Sequence, residues 1–345
     1  MRKTRLLTLL VLLMAVVTGA WAQEPATTYT VNLNDGTKNP TTWTGKAGDA
    51  TQFSALPLEG VTEGQTVTLK YSGTREVKSI KATSDAAPAE PVEPKFTINA
   101  SGDQVKFAPG NLQATYDGSA WTWAFAPNQW DFIGNAAANT SINGNGTVSA
   151  NGTVDLFCWV GEHSAFTGAA QYGITNSMTI IQFGNTADEA LKSDWGNTIG
   201  DGWRTLTIDE WDYVLNTRTT TSGVNYAKAT VNGKQGLILL PDDWSTTYYS
   251  LTSTNTASAN YTSNVISSTD WTNSLESHGA VFLPAVGTRG GTTVNNTTSG
   301  YYWSATSSSN TTQARRLSFD ASEIDLSNRS NRSKGHSVRL VKAAE

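Results

Sequence analysis

Residues 202–211 read Gly-Trp-Arg-Thr-Leu-Thr-Ile-Asp-Glu-Trp, and this stretch predicts the start of a helix. Thr207 and Glu210 have the spacing of a capping box, in which each side chain accepts a hydrogen bond from the other's backbone N–H. Apolar residues follow at helical spacing, namely Ile208, Trp211 and Leu215. We therefore predict a helix over Thr207–Leu215 with one buried face.

Downstream of this helix, the pattern predicts one further helix and otherwise short strands. The helix covers Asp270–Ser277 and stops at Gly279. One small sheet is predicted at the C-terminal end, with strands at Tyr301–Thr306, Arg316–Asp320, Glu323–Ser327 and Ser337–Val341. The second and third strands alternate apolar and polar residues. Paired as a hairpin across Ala321–Ser322, they would bury Leu317, Phe319, Ile324 and Leu326 and present their polar residues on one face.

The N-terminal residues have the pattern of a secretory signal peptide. Arg2, Lys3 and Arg5 precede an apolar run over Leu6–Val17, and Ala20-Trp21-Ala22 gives a cleavage motif. The run is short for a membrane span. We therefore assign residues 1–22 to a signal peptide and expect a secreted or outer-cell-surface protein without a transmembrane segment in its mature form. A retained membrane anchor is the alternative.

Residues 27–83 are predicted to form a small all-β, immunoglobulin-like module. Strand patterns occur at Tyr29–Leu33, Thr66–Tyr71 and Val77–Ala82. Residues 84–94, rich in Pro, Ala and Glu, are typical of a stiff, solvated linker. Residues 95–345 form the large domain.

The composition favours an extracellular, β-rich protein. Charged residues make up 15% of the 345-residue chain, below the usual quarter, while 12 Trp, 11 Tyr and 10 Phe can supply a core. The net charge of −5 gives no basic surface for nucleic acid. Cys158 is the single cysteine, so the fold has no internal disulfide, and its apolar neighbours predict a buried thiol.

Several motifs in residues 95–342 resemble one known family. The 202–211 stretch, the Gly300–Thr306 strand and the Gly335–Val341 strand are similar to motifs of the formylglycine-generating-enzyme type of C-type-lectin fold. Phe107–Leu112, Trp130–Phe132 and Phe282–Ala285 resemble more closely the fibrobacter-type major paralogous domain. The resemblance implies an α+β, β-rich domain with two helices and small antiparallel sheets. It also implies that five residues are scaffold: Arg204, Glu210, Trp211, Trp303 and Arg339.

Catalysis is not expected. In the resembling family, the oxidase binds copper through two cysteines, and this chain has only one, so the alternative of a sulfatase-modifying enzyme lacks its metal ligands. His163, His278 and His336 stand singly and are interpreted as surface or capping residues, so no metal or other cofactor is predicted. Asp242-Asp243 could be a carboxylate pair, but a solvated turn is favoured.

The favoured function is binding of a macromolecular ligand, protein or glycan, as an adhesin or receptor at the cell surface. Arg, Tyr, Ser and Asn are enriched between Thr292 and Lys334, and these residue types dominate recognition surfaces. The predicted ligand-binding residues are Asn295, Asn296, Thr297, Tyr301, Tyr302, Asn310, Arg316, Ser318, Asp320, Glu323, Asp325, Ser327, Asn328, Arg329, Asn331 and Arg332.

Two further hypotheses concern the origin and the role of this surface. Some relatives in the resembling family have C-terminal regions varied by a mutagenic retroelement that alters adenines. Ser318, Asp320, Asp325, Ser327, Arg329, Ser330 and Arg332 fit the codons that this process can reach, whereas Gln313, Glu323 and Lys334 do not. A structural role, as a pilus-tip or surface-layer component, is the alternative to ligand binding.

Overall fold

The protein is described here by a computed structural model, which covers residues 5–10, 28–34, 43–47, 49–56, 58–62, 66–71, 79–84, 93–142, 152–159, 172–176, 178, 195–310 and 312–345. The chain forms two compact units, Met1–Val92 and Glu93–Glu345. Most of the predicted linker, and residues 1–4 and 11–22 of the predicted signal peptide, lie outside the described residues, as does His163.

The first unit consists of two antiparallel sheets. Its strands are β1 Arg5–Leu10, β2 Thr28–Asn34, β3 Trp43–Ala47, β4 Ser54–Ala55, β5 Leu58–Thr62, β6 Thr66–Tyr71 and β7 Ser79–Ser84. They are ordered β1-β6-β3-β4 and β5-β2-β7. Val67 and Leu69, two apart on β6, are buried, as the alternation in this strand predicts. Residues 79–82 of the third predicted strand belong to β7, its residues 77 and 78 lie outside the described residues, and β1 falls within the predicted signal peptide.

The strands of the second unit are short and follow one another with few helices between them. In chain order they are β8 Phe96–Thr97, β9 Gln104–Phe107, β10 Leu112–Tyr116, β11 Trp121–Phe125, β12 Gly152–Val154, β13 Arg204–Thr205, β14 Tyr226–Val231, β15 Lys234–Leu239, β16 Val265–Ile266, β17 Val281–Pro284, β18 Thr288–Gly290, β19 Thr293–Asn295, β20 Gly300–Ser307, β21 Gln313–Phe319, β22 Ile324–Asp325, β23 Arg329–Asn331, β24 Lys334–Gly335 and β25 Leu340–Ala343.

These strands form small sheets with the orders β11-β10-β12, β13-β25-β9-β8, β16-β14-β15-β17, β19-β18-β24 and β20-β21-β22, and β23 also pairs with β21. The pairings are antiparallel except that of β14 with β16. The second unit is thus α+β and β-rich, with small antiparallel sheets, which confirms the coarse fold prediction. None of the helices in the described ranges is long and apolar enough to cross a bilayer.

The two predicted helices are present, each as a composite of short turns. The first is α2, Ile208–Asp212, continued by a π-helical turn over Tyr213–Thr217. The predicted capping box forms: Thr207 Oγ1 accepts from the Glu210 N–H at 3.2 Å, and Glu210 Oε2 accepts from the Thr207 N–H at 2.7 Å. The described residues also contain α1 at Ala137–Thr140 and 3₁₀ turns at Trp195–Thr198 and Tyr261–Ser263.

The second helix is α3, Ser268–Asp270, followed by a π-helical turn over Trp271–Leu275 and a 3₁₀ turn over Glu276–His278. Its predicted stop is also found, because Gly279 has φ 81°, a left-handed conformation that costs glycine little.

The core of the second unit consists of three large apolar clusters. One surrounds Trp159 and Trp303, a second surrounds Trp211 and Tyr302, and a third surrounds Trp271. Tyr302 and Trp303 are consecutive on β20, so their side chains leave opposite faces of the strand and enter different clusters. β20 is therefore buried on both faces.

The C-terminal strands differ in part from the prediction. β20 and β21 pair as expected, and Ser318 and Asp325 face each other across β21 and β22, so the predicted hairpin forms. The third predicted strand is shortened to Ile324–Asp325. The fourth prediction is only partly right: Ser337 bridges Tyr302 on β20, but Leu340–Ala343 pairs with β13 and β9 in another sheet. Its partners lie far away in sequence, which local alternation cannot indicate.

Two polar residues are more deeply packed than predicted. His336 was expected at the surface or at a cap, but it is 1% exposed and stacks on Tyr301. Asp242 was interpreted as part of a solvated turn. Instead it accepts a hydrogen bond from Arg218 Nη1 at 2.8 Å and others from the backbone and hydroxyl of Thr97. It is a structural anion, because it balances the buried Arg218 guanidinium.

The five residues that the resemblance assigned to the scaffold have structural contacts. Trp211 and Trp303 are fully buried. Arg204 donates to both carboxylate oxygens of Glu210, at 2.9 and 2.7 Å, which holds the capping carboxylate in place. Arg339 is buried and donates to the carbonyls of Ala108 and Phe282.

Candidate binding cleft on the C-terminal hairpin

A small polar cleft lies at one end of β20 and β21. Its volume is about 60 Å³. Six of its eight lining residues belong to the predicted ligand-binding set. The complete lining is Ser299, Tyr301, Arg316, Ser318, Phe319, Asp320, Glu323 and Asn328.

Strand pairing brings the lining residues together. Tyr301 on β20 is opposite Ser318 on β21, and Ser318 is in turn opposite Asp325 on β22. Gly300 lies opposite Phe319, and a Cβ at Gly300 would come within 2.1 Å of the Phe319 ring. The glycine therefore lets the Phe319 ring lie flat across the strand.

A side-chain-capped turn after β21 sets the far wall of the cleft. Asp320 Oδ1 accepts hydrogen bonds from the Ser322 N–H and hydroxyl, each at 2.7 Å, and from the Glu323 N–H at 3.1 Å. Such Asx turns fix the backbone two residues onward. Burial acts to raise the pKa of Asp320, but these hydrogen bonds outweigh it, so the pKa lies below its usual value.

A second turn of the same kind supports Asn328. Asp325 Oδ1 accepts from the Ser327 N–H and hydroxyl, each at 2.7 Å, and Oδ2 accepts from the Asn328 side-chain amide. Burial acts to raise the pKa of Asp325, yet the hydrogen bonds from Ser327 and Asn328 lower it overall. Asp320 and Asp325 are thus ionised and serve mainly to shape the loops.

Arg316 supplies the positive charge of the cleft. Its guanidinium lies 4.8 Å from the centre of the Tyr301 ring, a cation–π contact, and its Nε donates to Ser330 Oγ at 2.6 Å. Its Nη1 is buried and has no hydrogen-bond partner among the described residues. Burial lowers the pKa of Arg316, although the side chain remains a cation at neutral pH. The guanidinium is held in place while part of its donor capacity is unused.

A buried lysine lies behind the turn. Lys228, fully buried, donates from Nζ to the Glu323 carbonyl at 3.1 Å and to the Ala257 carbonyl. Burial lowers the pKa of its ammonium, while the negative charges of Asp320 and Glu323 favour the charged form. Lys228 therefore ties the cleft wall to the β14 strand.

The predicted ligand-binding residues do not form one site. Tyr301, Arg316, Ser318, Asp320, Glu323 and Asn328 line the cleft. Asn296 borders it, since its amide donates to Tyr301 Oη at 3.3 Å. Asp325 and Ser327 shape its loops. Arg329 and Asn331 lie on β23, which pairs with the Gln313–Arg315 half of β21, and Asn310 precedes β21, so none of the three lines the cleft. Asn295 and Thr297 are exposed on the neighbouring β19 and its loop.

Two of the predicted residues cannot meet a macromolecule directly. Tyr302 is fully buried, and its hydroxyl donates to the Pro284 carbonyl at 2.9 Å. Arg332 is 1% exposed, with its guanidinium 4.5 Å from the centre of the Trp159 ring. Both were placed at the surface because the sequence does not show that β20 and the 332–339 segment are covered on both sides. Ser318 is also buried, at 8% exposure, so it contributes only a small part of the lining.

Sequence reasoning missed Ser299, Phe319, Lys228 and the buried His336. Phe319 was assigned correctly to the core, and the missing signal was the glycine opposite it. No local pattern identifies Lys228, because its role depends on a contact 95 positions away.

The cleft presents hydrogen-bonding groups and charges of both signs. No group of three or more His, Cys, Asp or Glu that could hold a metal occurs in the described ranges. Cys158 is buried as predicted, and burial raises the pKa of its thiol. The cleft contributes donors and acceptors in fixed positions.

Comparison with known proteins gives one match. Residues 237–341 match a family described as a domain of unknown function, DUF8237. The matched segment is less than half of the chain and includes every residue that lines the cleft. No curated protein and no solved structure matches the chain.

Proposed function

We propose that this chain is an exported, non-catalytic binding protein of the outer cell surface, and that its second unit is a C-type-lectin-like domain. The ligand is a macromolecule, protein or glycan, held at the cleft between β20, β21 and the Asp320–Glu323 turn. The main support is that six residues selected by type and alternation alone line one cleft. The motif resemblance supports the fold and the export.

We also propose that a retroelement diversifies this surface, at fewer positions than the sequence alone indicated. A position that varies between copies has to tolerate many side chains. Asp320, Ser327 and Arg329 lie at or near the surface, whereas Arg332 is buried against Trp159. We therefore propose that any variation spares Arg332. A near-copy of the segment beside a reverse transcriptase gene, differing at position 332, would contradict this.

The binding proposal is tested with a cleft variant and a matched control. Glu323→Ala with Asn328→Ala removes one carboxylate and one amide from the lining. Asp243→Ala with Asn273→Ala removes the same two groups from exposed positions outside it. Full-length proteins are applied to a glycan array and to an array of extracellular proteins. We expect the cleft variant to lose at least about tenfold in affinity for whatever the wild type retains, and the control to lose none. Equal binding by both variants would refute the proposal.

A further inference from the structure

Charges of both signs surround the cleft. Arg316 lies in its wall and the Lys228 ammonium lies behind it, while Asp320 and Glu323 contribute carboxylates to the same lining. Because the cleft is small, a bound ion would lie close to both positive and negative side chains. An anion that approaches Arg316 meets Asp320 and Glu323, and a cation that approaches Glu323 meets Arg316. The lining therefore disfavours ligands with a net charge.

The hydrogen-bonding groups favour hydroxyls. Arg316 and Asn328 offer donors, Asp320 and Glu323 offer acceptors, and the Ser299 hydroxyl can do either. Guanidinium, carboxylate and amide groups are planar and can each bind two neighbouring polar atoms at once. A hydroxyl both donates and accepts, so a pair of adjacent hydroxyls can use this mixture without leaving a group unpaired.

The size of the cleft limits how much of a ligand enters. One water molecule needs about 10–15 Å³ of cavity volume. The cleft, at about 60 Å³, therefore admits a few hydroxyl-sized groups. A whole sugar ring does not fit inside. The edge of a ring that carries two or three hydroxyls does.

We propose that the cleft binds the hydroxylated edge of a neutral saccharide, a terminal or branching residue of a glycan. This inference rests on the proposed binding function and specifies its ligand class. Tyr301 acts here through its hydroxyl rather than by stacking on the sugar, because Arg316 and His336 already lie against its ring. The cleft thus recognises hydroxyl positions and discriminates against charge.

The test compares sugars that differ at one substituent, which is neutral in the hexose and charged in its counterpart. Full-length protein is titrated with glucose, galactose and mannose, and with the matching uronates and 2-amino sugars, by ligand-observed NMR. We expect at least one neutral hexose to bind in the millimolar range, and its uronate and amino counterparts to bind roughly three- to tenfold more weakly, as expected for one like charge near the surface. Tighter binding of the uronate or the amino sugar than of every neutral hexose would overturn the inference.

A variant that removes the charge of Glu323 distinguishes a role in ligand recognition from a purely structural role of this residue. Glu323→Gln keeps the shape but removes one negative charge, so it should weaken neutral binding somewhat while raising the ratio of uronate to neutral affinity roughly three- to tenfold. An unchanged ratio would refute the assignment. If none of the sugars bound while the array experiment still gave a cleft-dependent protein ligand, the saccharide inference would fail and the binding function would stand. If the cleft variant lost nothing, both would fail.

Discussion

At the scale of single residues, buried arginines donate hydrogen bonds to backbone carbonyls of loops. Arg289 donates to the carbonyls of Thr175, Gly291 and Leu156, and Arg339 donates to the carbonyls of Ala108 and Phe282 and to the Asn111 side chain. Loops leave carbonyl groups without the partners that sheets and helices provide, and buried carbonyls need partners. A guanidinium offers five donors in a fixed plane. The arginines therefore let irregular segments be buried.

The buried His336 makes stability depend on pH. Its ring lies between Tyr301 and Trp303, with ring centres 5.2 and 4.3 Å away, and neither ring nitrogen has a hydrogen-bond partner among the described residues. Burial, and then the positive charge of Arg316, lower the pKa of His336 well below its usual value of about 6.5. The unfolded chain therefore binds a proton that the folded chain does not, and stability falls as pH drops below about 6.5.

Replacing His336 with Phe should remove this dependence while keeping the ring contacts. We expect the wild type to lose about 1–2 kcal/mol more than the variant between pH 6.5 and pH 5, since each pH unit is worth at most about 1.4 kcal/mol for one proton. Urea unfolding at several pH values measures the difference. His278→Phe, at an exposed position, is the matched control. Parallel pH profiles for the wild type and His336→Phe would contradict the assignment.

At the scale of secondary-structure elements, α2 is a short helix that local contacts at its start stabilise. α2 has only five α-helical residues before the π-helical turn, too few for its propensity alone to stabilise it. Its start is fixed by the capping box and the Arg204–Glu210 ion pair. Its buried face is fixed by Trp211. Because those signals are local, they could be predicted.

Thr207→Ala should destabilise the second unit by about 1 kcal/mol, the usual cost of losing a capping hydroxyl. The Glu210 N–H loses its acceptor, although Arg204 still holds the Glu210 carboxylate. Thr219→Ala, at an exposed position beyond the helix, is the control and should change stability by less than about 0.5 kcal/mol. Thermal unfolding checks both. A Thr207 variant as stable as the control would show that the cap contributes nothing.

Sequence reasoning succeeded where the partners are close along the chain. It placed the capping box, the Gly279 stop and the hairpin in which Ser318 faces Asp325. It failed where the partner is distant: β25 was given the wrong sheet, and Tyr302 was placed at the surface. Alternation shows which side chains share a face of a strand but not what covers that face. Six of the eight residues that line the cleft were therefore predictable, and the residues buried behind it were not.

At the scale of the whole second unit, Arg339 joins segments from both ends of the unit. Its contacts reach residues 108, 111 and 282 from the segment leading into β25. Replacing it with Met leaves the carbonyls of Ala108 and Phe282 and the Asn111 amide oxygen without a donor. We expect a loss of at least about 3 kcal/mol, because several buried acceptors are left unsatisfied together.

Lys342→Met, on β25 itself, is the matched control. Its ammonium pairs with the exposed Asp201, so its loss should matter little. Both variants are compared by denaturant unfolding and by near-ultraviolet circular dichroism. If Arg339→Met unfolded at the same denaturant concentration as Lys342→Met, Arg339 could not be the link between these segments.

The position of β25 has a consequence for how the protein is made. This strand lies inside its sheet, between β13 and β9, yet the ribosome adds it after every other strand of the unit. The sheet cannot close until residues 340–343 have emerged, so during synthesis the earlier segments lack their central neighbour. Were the chain exported as we propose, this order of synthesis would delay completion of the fold and so favour passage of the chain through a translocation channel.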